Sequence, residues 1–552
     1  MASVCSYVSD RRSDKLSVTG VHVKSGRSSS RYACSSSVQH SIQDTSMALS
    51  FYLLLAAVVT FASRKLVLVL QDPLRSIPGP FIARFTKLWV FRRFYAGQWH
   101  EEVLQLHREH GKVVRYGPGQ YSINDVDAIR KIHSHGGGFD KASSYETWSP
   151  PGTTSLFKER SNRYHGELRK RFASMYSMTS VFAYETGVSE CVDLLCKQLQ
   201  SMQGQRIDLN WWLECFTFDS IGVVSYGKRF GFLDSGEDVG NLAKAVIGAF
   251  TYGSWMGFFP DFHALGIATM RFVAKLKKSR GSGKMYLDNF TSQTTAQRRA
   301  YRVANPDSIA SRQAADGPRS ILDKFLDVNE KDPAYFADAH ITMGLGANVT
   351  AGSDTTSSTS AWALFYLAKH PDCMQKLRQE ITSISHDAAS ISFRQLQGQM
   401  PYLNAVLTET LRLFPQTGFG LPRTVPVGGV EICGYHFPEG SVVSLNAWAM
   451  HYDPDNFEDP EQFKPERWLV EDQETKERMN QCYFPFGLGS RTCIGKNIAM
   501  LVMLKALPRL VQEFEYQLAG DLTDGRNLPV QDIFLLRATD FPVIVKAREA
   551  KL

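Results

Sequence analysis

The sequence lacks the cysteine and histidine spacings on which small metal sites and disulfide frameworks depend. Nine cysteines are scattered over 552 residues without a short-spaced set. No second cysteine or histidine lies at a spacing from Cys493 that would complete a zinc site, and Cys482 has no partner of its own. A disulfide scaffold is therefore not expected, and the pattern favours reduced thiols in a body that faces the cytosol.

A nucleotide-binding signature and a strong charge imbalance are also missing. The chain contains no glycine-rich Rossmann or flavin fingerprint, so a nicotinamide- or flavin-binding domain is not expected in it. The net charge of +7 would suit an anionic membrane surface or an acidic protein partner, and does not indicate nucleic acid. Hydrophobic residues make up 43% and charged residues 21%, which is ordinary for a globular protein. The length permits several domains or one large helical enzyme.

A glycine-punctuated loop near the C-terminal end is the most informative stretch. It runs from Phe486 to Gly495, contains Gly487 and Arg491, and reaches Cys493 just before an apolar, helix-like segment, 496–507. Its glycines allow sharp turns and a close approach to a flat group. A cysteine just before a helix lies among free backbone N–H groups, which favour the thiolate that a metal needs. The alternative is a glycine-rich turn around a structural cysteine.

The N-terminal part divides into a leader, an apolar run and a proline-rich segment. Residues 1–46 are serine-rich and are predicted to be a disordered leader, dispensable because Met47 begins the recognisable protein; a transit peptide is the alternative. Residues 47–70, with Ala48 to Leu70 as the apolar part, are long enough for a transmembrane anchor, although Arg64 and Lys65 interrupt the run. A cleaved signal peptide or a buried core helix would be the alternatives. Residues 71–80 are predicted to be a stiff hinge before the catalytic domain, 81–552.

Local patterns in the body predict a mainly helical protein with a smaller β-rich part. Short strands are expected at 113–116 and 120–123, around a Gly-Pro-Gly turn. Residues 136–152 are expected to form an irregular functional loop, and 298–319 a surface loop. An aromatic, glycine-rich segment, 205–280, is interpreted as core or as a mobile lid over an apolar pocket.

One long helix, 334–369, carries Ala351-Gly352-Ser353-Asp354-Thr355-Thr356 in its middle. Small and polar residues are costly there unless something uses them, since glycine is about 1 kcal/mol less favourable than alanine inside a helix. A threonine in mid-helix can hydrogen-bond the carbonyl four residues earlier and bend the helix. The alternative is an N-cap cluster that starts a new helix.

Four further motifs carry charged residues. His165 and Arg169 are four residues apart and would share a helix face, and Glu409 and Arg412 are three apart on a predicted helix, 401–414. Arg423 lies in Leu-Pro-Arg-Thr, and Arg467 lies in Phe-Lys-Pro-Glu-Arg-Trp. Taken singly, such pairs are usually solvated surface groups worth less than ~1 kcal/mol.

Together, five motifs resemble the cytochrome P-450 family in order and in rough spacing, over about residues 76–548. The loop matches F-x-x-G-x-R-x-C-x-G at every fixed position, and the helix centre matches A/G-G-x-D/E-T-T/S. The continuation Cys493-Ile494-Gly495-Lys496-Asn497 and the hinge are most similar to fungal microsomal members related to pisatin demethylase. The resemblance implies the cytochrome P-450 fold behind an N-terminal transmembrane helix.

The resemblance also implies a site. Cys493 would be the axial ligand of haem b (iron protoporphyrin IX), with Phe486, Gly487, Arg491 and Gly495 shaping its loop. The residues implied to bind the haem propionates are His165, Arg169, Arg423 and Arg491. Asp354 and Thr355 would deliver protons to oxygen. A buried ion network implied to brace the loop consists of Glu409, Arg412 and Arg467.

The implied function is a monooxygenase that inserts one atom of O₂ into an apolar small molecule. Electrons would come from NADPH through a separate flavoprotein, the NADPH-cytochrome reductase. The expected setting is the endoplasmic reticulum membrane, with a single-pass anchor and a monomeric, cytosol-facing catalytic domain that does not bind nucleic acid. Fungal secondary metabolism (of terpenoids, polyketides or alkaloids) is the expected role. Detoxification of a plant defence compound or xenobiotic, by hydroxylation or demethylation, is the alternative.

Two rival classes are weighed against this. A haem-thiolate isomerase or dehydratase would use a peroxide already in its substrate and would not need the Asp354-Thr355 pair. A haem carrier or sensor would have no use for an oxygen-activating helix centre. The sequence does not give the substrate.

Overall fold

The computed structural model describes residues 32–134, 136–276, 283–305, 319–524 and 527–548, with only the backbone for 32–48 and 274–276. The chain divides into two compact units, Met1–Gln71 and Asp72–Leu552. In the first unit, helix α1 spans Tyr32–Leu70. Its residues Leu49–Leu70 are long and apolar enough to cross a membrane, with a mean hydropathy of 2.1, and form a candidate anchor.

Helix α1 begins earlier than the sequence suggested. Residues 32–46, predicted as part of a disordered leader, are helical, while residues 1–31 lie outside the described part of the chain. Serine is only a few tenths of a kcal/mol poorer than leucine or lysine in a helix, so a strong apolar helix can continue backwards into a serine-rich segment.

The second unit is mainly helical. Its α-helices in chain order are α2 Leu88–Tyr95, α3 Trp99–His110, α4 Val126–His133, α5 Asn162–Phe172, α6 Met178–Phe182, α7 Glu185–Ser201, α8 Leu209–Tyr226, α9 Phe232–Ser235, α10 Leu242–Met256, α11 His263–Leu276, α12 Gly283–Ala304, α13 Ile321–Lys331, α14 Asp338–Lys369, α15 Pro371–Ile384, α16 Phe393–Gly398, α17 Pro401–Leu413, α18 Ala447–His451, α19 Gln473–Cys482 and α20 Lys496–Glu513.

The strands are short. They are β1 Val113–Gly117, β2 Gln120–Ile123, β3 Asp140–Lys141, β4 Arg206–Asp208, β5 Leu421–Thr424, β6 Val430–Ile432, β7 Tyr435–Phe437, β8 Val442–Leu445, β9 Phe514–Leu518, β10 Val530–Ile533, β11 Leu535–Ala538 and β12 Pro542–Ala547. A five-stranded sheet has the order β1-β2-β8-β5-β3, and a three-stranded sheet has the order β4-β12-β9. β6-β7 and β10-β11 form separate antiparallel pairs. The predicted strands at 113–116 and 120–123 are confirmed as an antiparallel pair.

The core is organised around α14, which packs lengthwise against α8 and also contacts α17, α20 and β11. From Ala361 to Phe365 every residue of α14 is buried, so no side of the helix faces solvent there. The long predicted helix is confirmed with a later start, because Asp332 Oδ1 accepts the backbone N–H groups of Ala334 and Tyr335 in a turn before it.

One other prediction is corrected. The segment 298–319 was expected to be a surface loop, but α12 continues to Ala304, and Arg302 is 5% exposed beside Asp323 and Asp327. The ion pairs between Arg302 and these two residues of α13 hold the end of α12 in helical conformation. The residues 306–318 lie outside the described part. Residues 72–80 of the predicted hinge belong to the second unit, where Leu74 and Ile77 are buried in a hydrophobic cluster.

Candidate functional site

The cysteine loop is closed by its own backbone. The N–H of Cys493 donates to the carbonyl of Phe486 at 2.8 Å, and the N–H of Gly487 donates to Phe484 at 2.9 Å. Gly489 has φ = +58°, and a Cβ atom there would lie 2.1 Å from the carbonyl oxygen of His133. Only glycine fits at this position, because α4 and the loop approach each other backbone to backbone. The loop therefore has a fixed shape where it leads into α20.

Cys493 is an accessible residue, although its thiol is surrounded by protein atoms. Burial raises its pKa, and the N–H groups of Gly495 and Lys496 and the charge of Arg169 only partly oppose this. The expectation that the backbone N–H groups before the helix favour the thiolate is confirmed for those groups, which lower the pKa of the thiol. Desolvation outweighs them, and a cation bound to sulfur would oppose the desolvation.

The ion network behind the loop has the predicted members. Glu409 accepts from Arg412 at 2.8 and 2.9 Å and from Arg467 at 2.9 Å, and it also accepts from the indole N–H of Trp468 and the backbone N–H of Lys464. Glu409 and Arg412 side chains are 0% exposed and Arg467 is 6% exposed. The remaining donors of both arginines reach backbone carbonyls, those of His451, Pro460, Gln462, Glu458 and Asp459.

His451 connects this network to the cysteine loop, and the sequence analysis missed it. Its Nδ1 donates to the carbonyl of Arg412 at 3.0 Å, and its Nε2 accepts the N–H of Phe484 at 3.2 Å. Burial, reinforced by the charge of Arg412, lowers the pKa of His451 to about 3, so the ring is neutral and this pair of bonds fixes its tautomer. Phe484 in turn holds Gly487. A histidine inside an otherwise apolar helix, α18, was the available signal.

Basic side chains from five parts of the fold gather beside the loop. They are His133 on α4, Lys141 on β3, His165 and Arg169 on α5, Arg423 on β5 and Arg491 in the loop. Burial, together with the charges of Arg491, Lys141, Arg169 and Arg423, lowers the pKa of His165 to about 3. Burial and Arg423 likewise lower the pKa of Arg491 to about 10, and burial, Arg423 and Arg491 hold that of Lys141 well below its usual range.

The members of this cation cluster differ in their partners. Arg169 donates to the carbonyl of Thr492 at 2.8 Å, so α5 is tied directly to the residue before Cys493. Arg491 is engaged by the protein itself, through the carbonyls of Glu159 and Arg160 and the side chain of Asn162. Arg491 thus holds the loop in place as well as adding positive charge.

His133 is the second functional residue that the sequence analysis missed. It is buried, its Nε2 has no hydrogen-bond partner, and burial and Arg423 hold its pKa well below the usual range. An unmatched buried ring nitrogen beside mutually repelling cations marks a place where an anionic group would be neutralised. The donor set therefore fits the two carboxylates of haem, and Cys493 fits its iron. The last-turn position of His133 on α4 resembles an ordinary helix terminus, so the sequence offered little signal.

The centre of α14 has two different sides. Ala347, Ala351 and Thr355 lie four residues apart on one face and are accessible, although the helix runs through the core. The hydroxyl of Thr355 donates to the carbonyl of Ala351 at 2.8 Å, as expected for a mid-helix threonine. Asp354 faces another way and is 3% exposed. Its carboxylate lies beside Glu214 on α8 and Arg537 on β11, a contact that the sequence did not indicate because both partners are distant in the chain.

An aromatic cavity adjoins the cation cluster. Its aromatic walls are Phe94, Tyr145, Trp148, Phe258, Phe419 and Phe534. Tyr145 joins the two regions, since the ammonium of Lys141 lies 4.3 Å from its ring centre. Part of the wall comes from the segment 136–152, which was predicted to be a functional loop. Aromatic walls with few polar groups suit an apolar small molecule.

Phe534 holds an unusual position in this wall. It lies at the turn between β10 and β11 with φ = +83°, a conformation that bulky residues rarely adopt. Packing against Trp148, at 4.8 Å between ring centres, and against Phe157 holds it there.

Within the described residues no group of three or more histidines, cysteines or carboxylates is arranged to hold a metal ion. The cysteines whose side chains are described, including Cys482 and Cys493, are free thiols. Metal binding at Cys493 would therefore rest on one protein ligand, as it does when a porphyrin supplies the other donors.

Comparison with known proteins agrees with this geometry. Residues 77–540 match the Cytochrome P450 family. The chain is 36% identical to a pisatin demethylase of Fusarium vanettenii over 455 residues, which cover 82% of this chain and 85% of that protein. It is 31% identical to a cytochrome P450 monooxygenase of Aspergillus terreus, covering 80% and 90% of the two chains, and 30% identical to the cytochrome P450 monooxygenase hepC of Aspergillus oryzae, covering 83% and 91%.

The family match spans most of the second unit and includes Cys493, the Glu409 network and the centre of α14. Relatives named as cytochrome P450 monooxygenases match along most of their own length. The chain therefore belongs to the cytochrome P450 family, whose members carry haem iron, and it is a monooxygenase and so an oxidoreductase.

Proposed function

We propose that this chain is a membrane-anchored haem-thiolate monooxygenase with Cys493 as the protein ligand of the iron. The observation that carries the proposal is Cys493, a free and accessible cysteine that lies beside Arg169 and the buried cation cluster. In this proposal His133, His165, Arg169 and Arg423 neutralise the propionates of haem b, and Arg491 keeps the loop in register. The Glu409 network, acting through His451, fixes the position of Phe484 and hence of the loop.

Haem supplies the one-electron and oxygen chemistry when it is bound. The chain contributes the thiolate, the shape of the cavity and protons. Thr355 offers a hydroxyl on the accessible face of α14, and its oxygen retains acceptor capacity while it donates to Ala351. Asp354 holds a carboxyl one residue away in a part of the fold closed to bulk water. Together they supply protons that solvent cannot deliver directly.

The second part of the proposal concerns setting and partners. Leu49–Leu70 of α1 is the single-pass anchor, the membrane is that of the endoplasmic reticulum, and the catalytic unit is monomeric and faces the cytosol. Electrons come from NADPH through a separate flavoprotein reductase. The sequence offers no dinucleotide fingerprint of its own, which supports a separate electron donor. Nucleic acid has no part in this function.

The substrate is proposed to be an apolar small molecule in fungal secondary metabolism, a terpenoid, polyketide or alkaloid. The aromatic cavity supports the apolar class. Oxidative demethylation of a plant defence compound is the second candidate, because the similar proteins include two named pisatin demethylases. An isomerase or dehydratase is less well supported, because Asp354 and Thr355 are both present on α14 and relatives are named as monooxygenases.

The test is Cys493→Ser in the full chain, reconstituted in membranes with a reductase. We expect the variant to lose the long-wavelength band of the reduced carbon monoxide complex from which the family takes its name, and to lose NADPH-dependent product formation. Cys482→Ser is the matched control, because Cys482 is a buried free thiol eleven positions upstream, and we expect it to keep both. A Cys493→Ser protein that retains the band would overturn the ligand assignment. Product formation without NADPH or O₂ would instead indicate the isomerase class.

A further inference from the structure

Two carboxyl groups and one guanidinium meet inside the fold, outside the cation cluster and outside the aromatic cavity. Glu214 comes from α8, Asp354 from α14 and Arg537 from β11, and α14 packs against both of the other elements. The side chains are 1%, 4% and 14% exposed. The Nη2 atom of Arg537 lies 2.5 Å from Glu214 Oε2, whereas its Nε lies 3.6 Å from Asp354 Oδ1. Arg537 therefore holds Glu214 tightly and Asp354 loosely.

The three groups do not satisfy one another as a fully ionised set. Each residue has one buried atom that lacks a hydrogen-bond partner: Oε1 of Glu214, Oδ1 of Asp354 and Nε of Arg537. Two carboxylates in contact are both acceptors, and a single guanidinium carries one charge for two acids. A proton on one carboxyl supplies the missing donor and balances the charge. Burial raises the pKa of both acids, and the Asp354 carboxyl raises that of Glu214 further.

We propose that Glu214 and Asp354 share one proton beside Arg537. Glu214 is a positioning residue that keeps Asp354 protonated, ready to deliver a proton along α14. The proposal rests on the proposed function, in which Asp354 and Thr355 supply protons. In the transfer, the O–H bond of Asp354 breaks as its proton passes to the hydroxyl oxygen of Thr355, and the original hydroxyl proton of Thr355 leaves towards the site. Both carboxyls of the pair are then ionised. A proton from solvent forms a new O–H bond on Glu214 and then moves to Asp354, which restores the starting state, and no electrons change hands.

Because Arg537 binds Glu214 more closely than Asp354, the proton is released from Asp354 and replaced through Glu214. A 3.6 Å contact is too long for a hydrogen bond, so Asp354 can leave it at little cost. Glu214 stays fixed by its short contact, and Arg537 compensates only one of the two negative charges left on the pair, so the pair readily takes a proton back. In the proposal the proton returns to Glu214 from the side of Arg537, the most exposed of the three side chains. A merely structural brace would be expected to satisfy all of its buried atoms.

The experiment compares Glu214→Gln, Glu214→Asp and Asp219→Asn with the wild-type holoenzyme. Asp219 is the matched control: it is a buried acid on the same helix, but its carboxylate caps α9 through the N–H groups of Gly231, Phe232 and Leu233. Two readouts are taken, product formed per NADPH oxidised across pH and the infrared band of a protonated carboxyl. The other titratable or charged groups that face the pair are Arg537 and the thiol of Cys215.

We expect Glu214→Gln to keep its haem spectrum, to lose the protonated-carboxyl band and to lower product per NADPH several-fold, with the balance released as hydrogen peroxide. Glu214→Asp should restore part of the coupling, and Asp219→Asn should leave coupling and band unchanged. Wild-type coupling and an unchanged infrared band in Glu214→Gln would overturn the proposal, and so would equal losses in Glu214→Gln and Asp219→Asn. Failure of the proposed function would differ, since the wild-type protein would then oxidise no NADPH at all.

Discussion

Two buried ion clusters flank the proposed haem site, and they are built in opposite ways. In the Glu409 network one carboxylate accepts from two arginines, an indole N–H and a backbone N–H, and the remaining arginine donors reach carbonyls. In the cluster of Glu214, Asp354 and Arg537, two acids share one cation, and an atom of each residue has no partner.

This difference distinguishes a cluster that supports the fold from a cluster that can transfer a proton. A buried charge set with every group paired has a single low-energy arrangement and gains nothing from moving. A set that lacks a proton, or holds one too many, has two arrangements of similar energy and can pass the proton on. The first cluster is tied through His451 to the loop that carries Cys493, whereas the second lies behind the helix that carries Thr355. Substitutions in the first cluster should therefore lower stability and haem content, whereas substitutions around the second should lower product formed per NADPH.

The largest effect is expected from Glu409→Gln. The amide keeps the size of the side chain but removes the charge that pairs Arg412 and Arg467, leaving two guanidinium groups buried without a counter-ion. Breaking a buried pair in this way typically destabilises by about 3–5 kcal/mol. We expect low haem content and a large fall in thermal stability, measured by haem absorbance and an unfolding scan.

Glu461→Gln is the matched control for that prediction. Glu461 also pairs with an arginine, Arg108, at 2.8 Å, but both side chains are largely exposed, 68% and 45%. Exposed pairs are worth less than ~1 kcal/mol, so stability should hardly change. A Glu409→Gln protein as stable and as rich in haem as Glu461→Gln would remove the contrast between a supporting and a functional cluster.

Much of the supporting cluster could be predicted from the sequence because its members come in short motifs. Glu409 and Arg412 are one helical turn apart, and Arg467 lies in a recognisable segment, so their partnership follows once the motifs are read together. The cysteine loop was predictable for the same reason. The prediction that Cys493 lies before a helix, among N–H groups that favour the thiolate, was confirmed, but the opposing desolvation was not foreseen, because it depends on atoms from distant parts of the chain.

The functional cluster was not predictable in the same way. Asp354 could be singled out by its place on α14, but Glu214 and Arg537 lie 140 positions before it and 183 after it, in segments without a motif. Only the packing of α8 and β11 on α14 brings the three together. His133 was missed for a related reason. Its Nε2 is buried without a partner only in the folded protein, where the loop packs against α4 at Gly489.

A smaller and more selective effect is expected from Thr355→Ala. The side chain lies on the accessible face of α14, and its removal deletes one hydroxyl and one methyl without stranding a charge. Haem content and stability should stay near those of wild type, and NADPH should still be consumed. Product per NADPH should fall several-fold and hydrogen peroxide should rise, because positioned proton transfer typically contributes roughly 10²–10⁴-fold.

Thr355→Ser keeps the hydroxyl and is the control, with coupling expected close to wild type. Asp354→Asn should slow oxygen consumption itself, which separates the acid from the hydroxyl. If Thr355→Ala were well folded and fully coupled, the proton role of this helix face would be wrong. If it lost haem and stability together with activity, α14 would belong with the supporting cluster and the comparison would fail.

The smallest effect is a change in how stability depends on pH. Because burial and Asp354 raise the pKa of Glu214 above its ordinary value of 4.5, the folded protein keeps a proton that the unfolded chain releases. Stability follows the difference in bound protons, so this residue makes the protein less stable as pH rises from about 4.5 towards the raised pKa. Glu214→Gln has no such proton. Its unfolding temperature relative to wild type should therefore increase with pH over that range.

Asp323→Asn provides the opposite case, because Arg298 and the Ser320 cap hold the pKa of Asp323 below its ordinary 3.8 despite its burial. Its stabilising contribution is fully present above 3.8 and is lost as pH falls through the lowered pKa, so Asp323→Asn should fall further behind wild type as pH rises towards 3.8 and stay at a constant difference above it. Unfolding temperatures measured by haem absorbance at several pH values give both trends. Parallel trends in the two variants would mean that Glu214 is ionised and paired like Asp323, and that the cluster around Asp354 holds no extra proton.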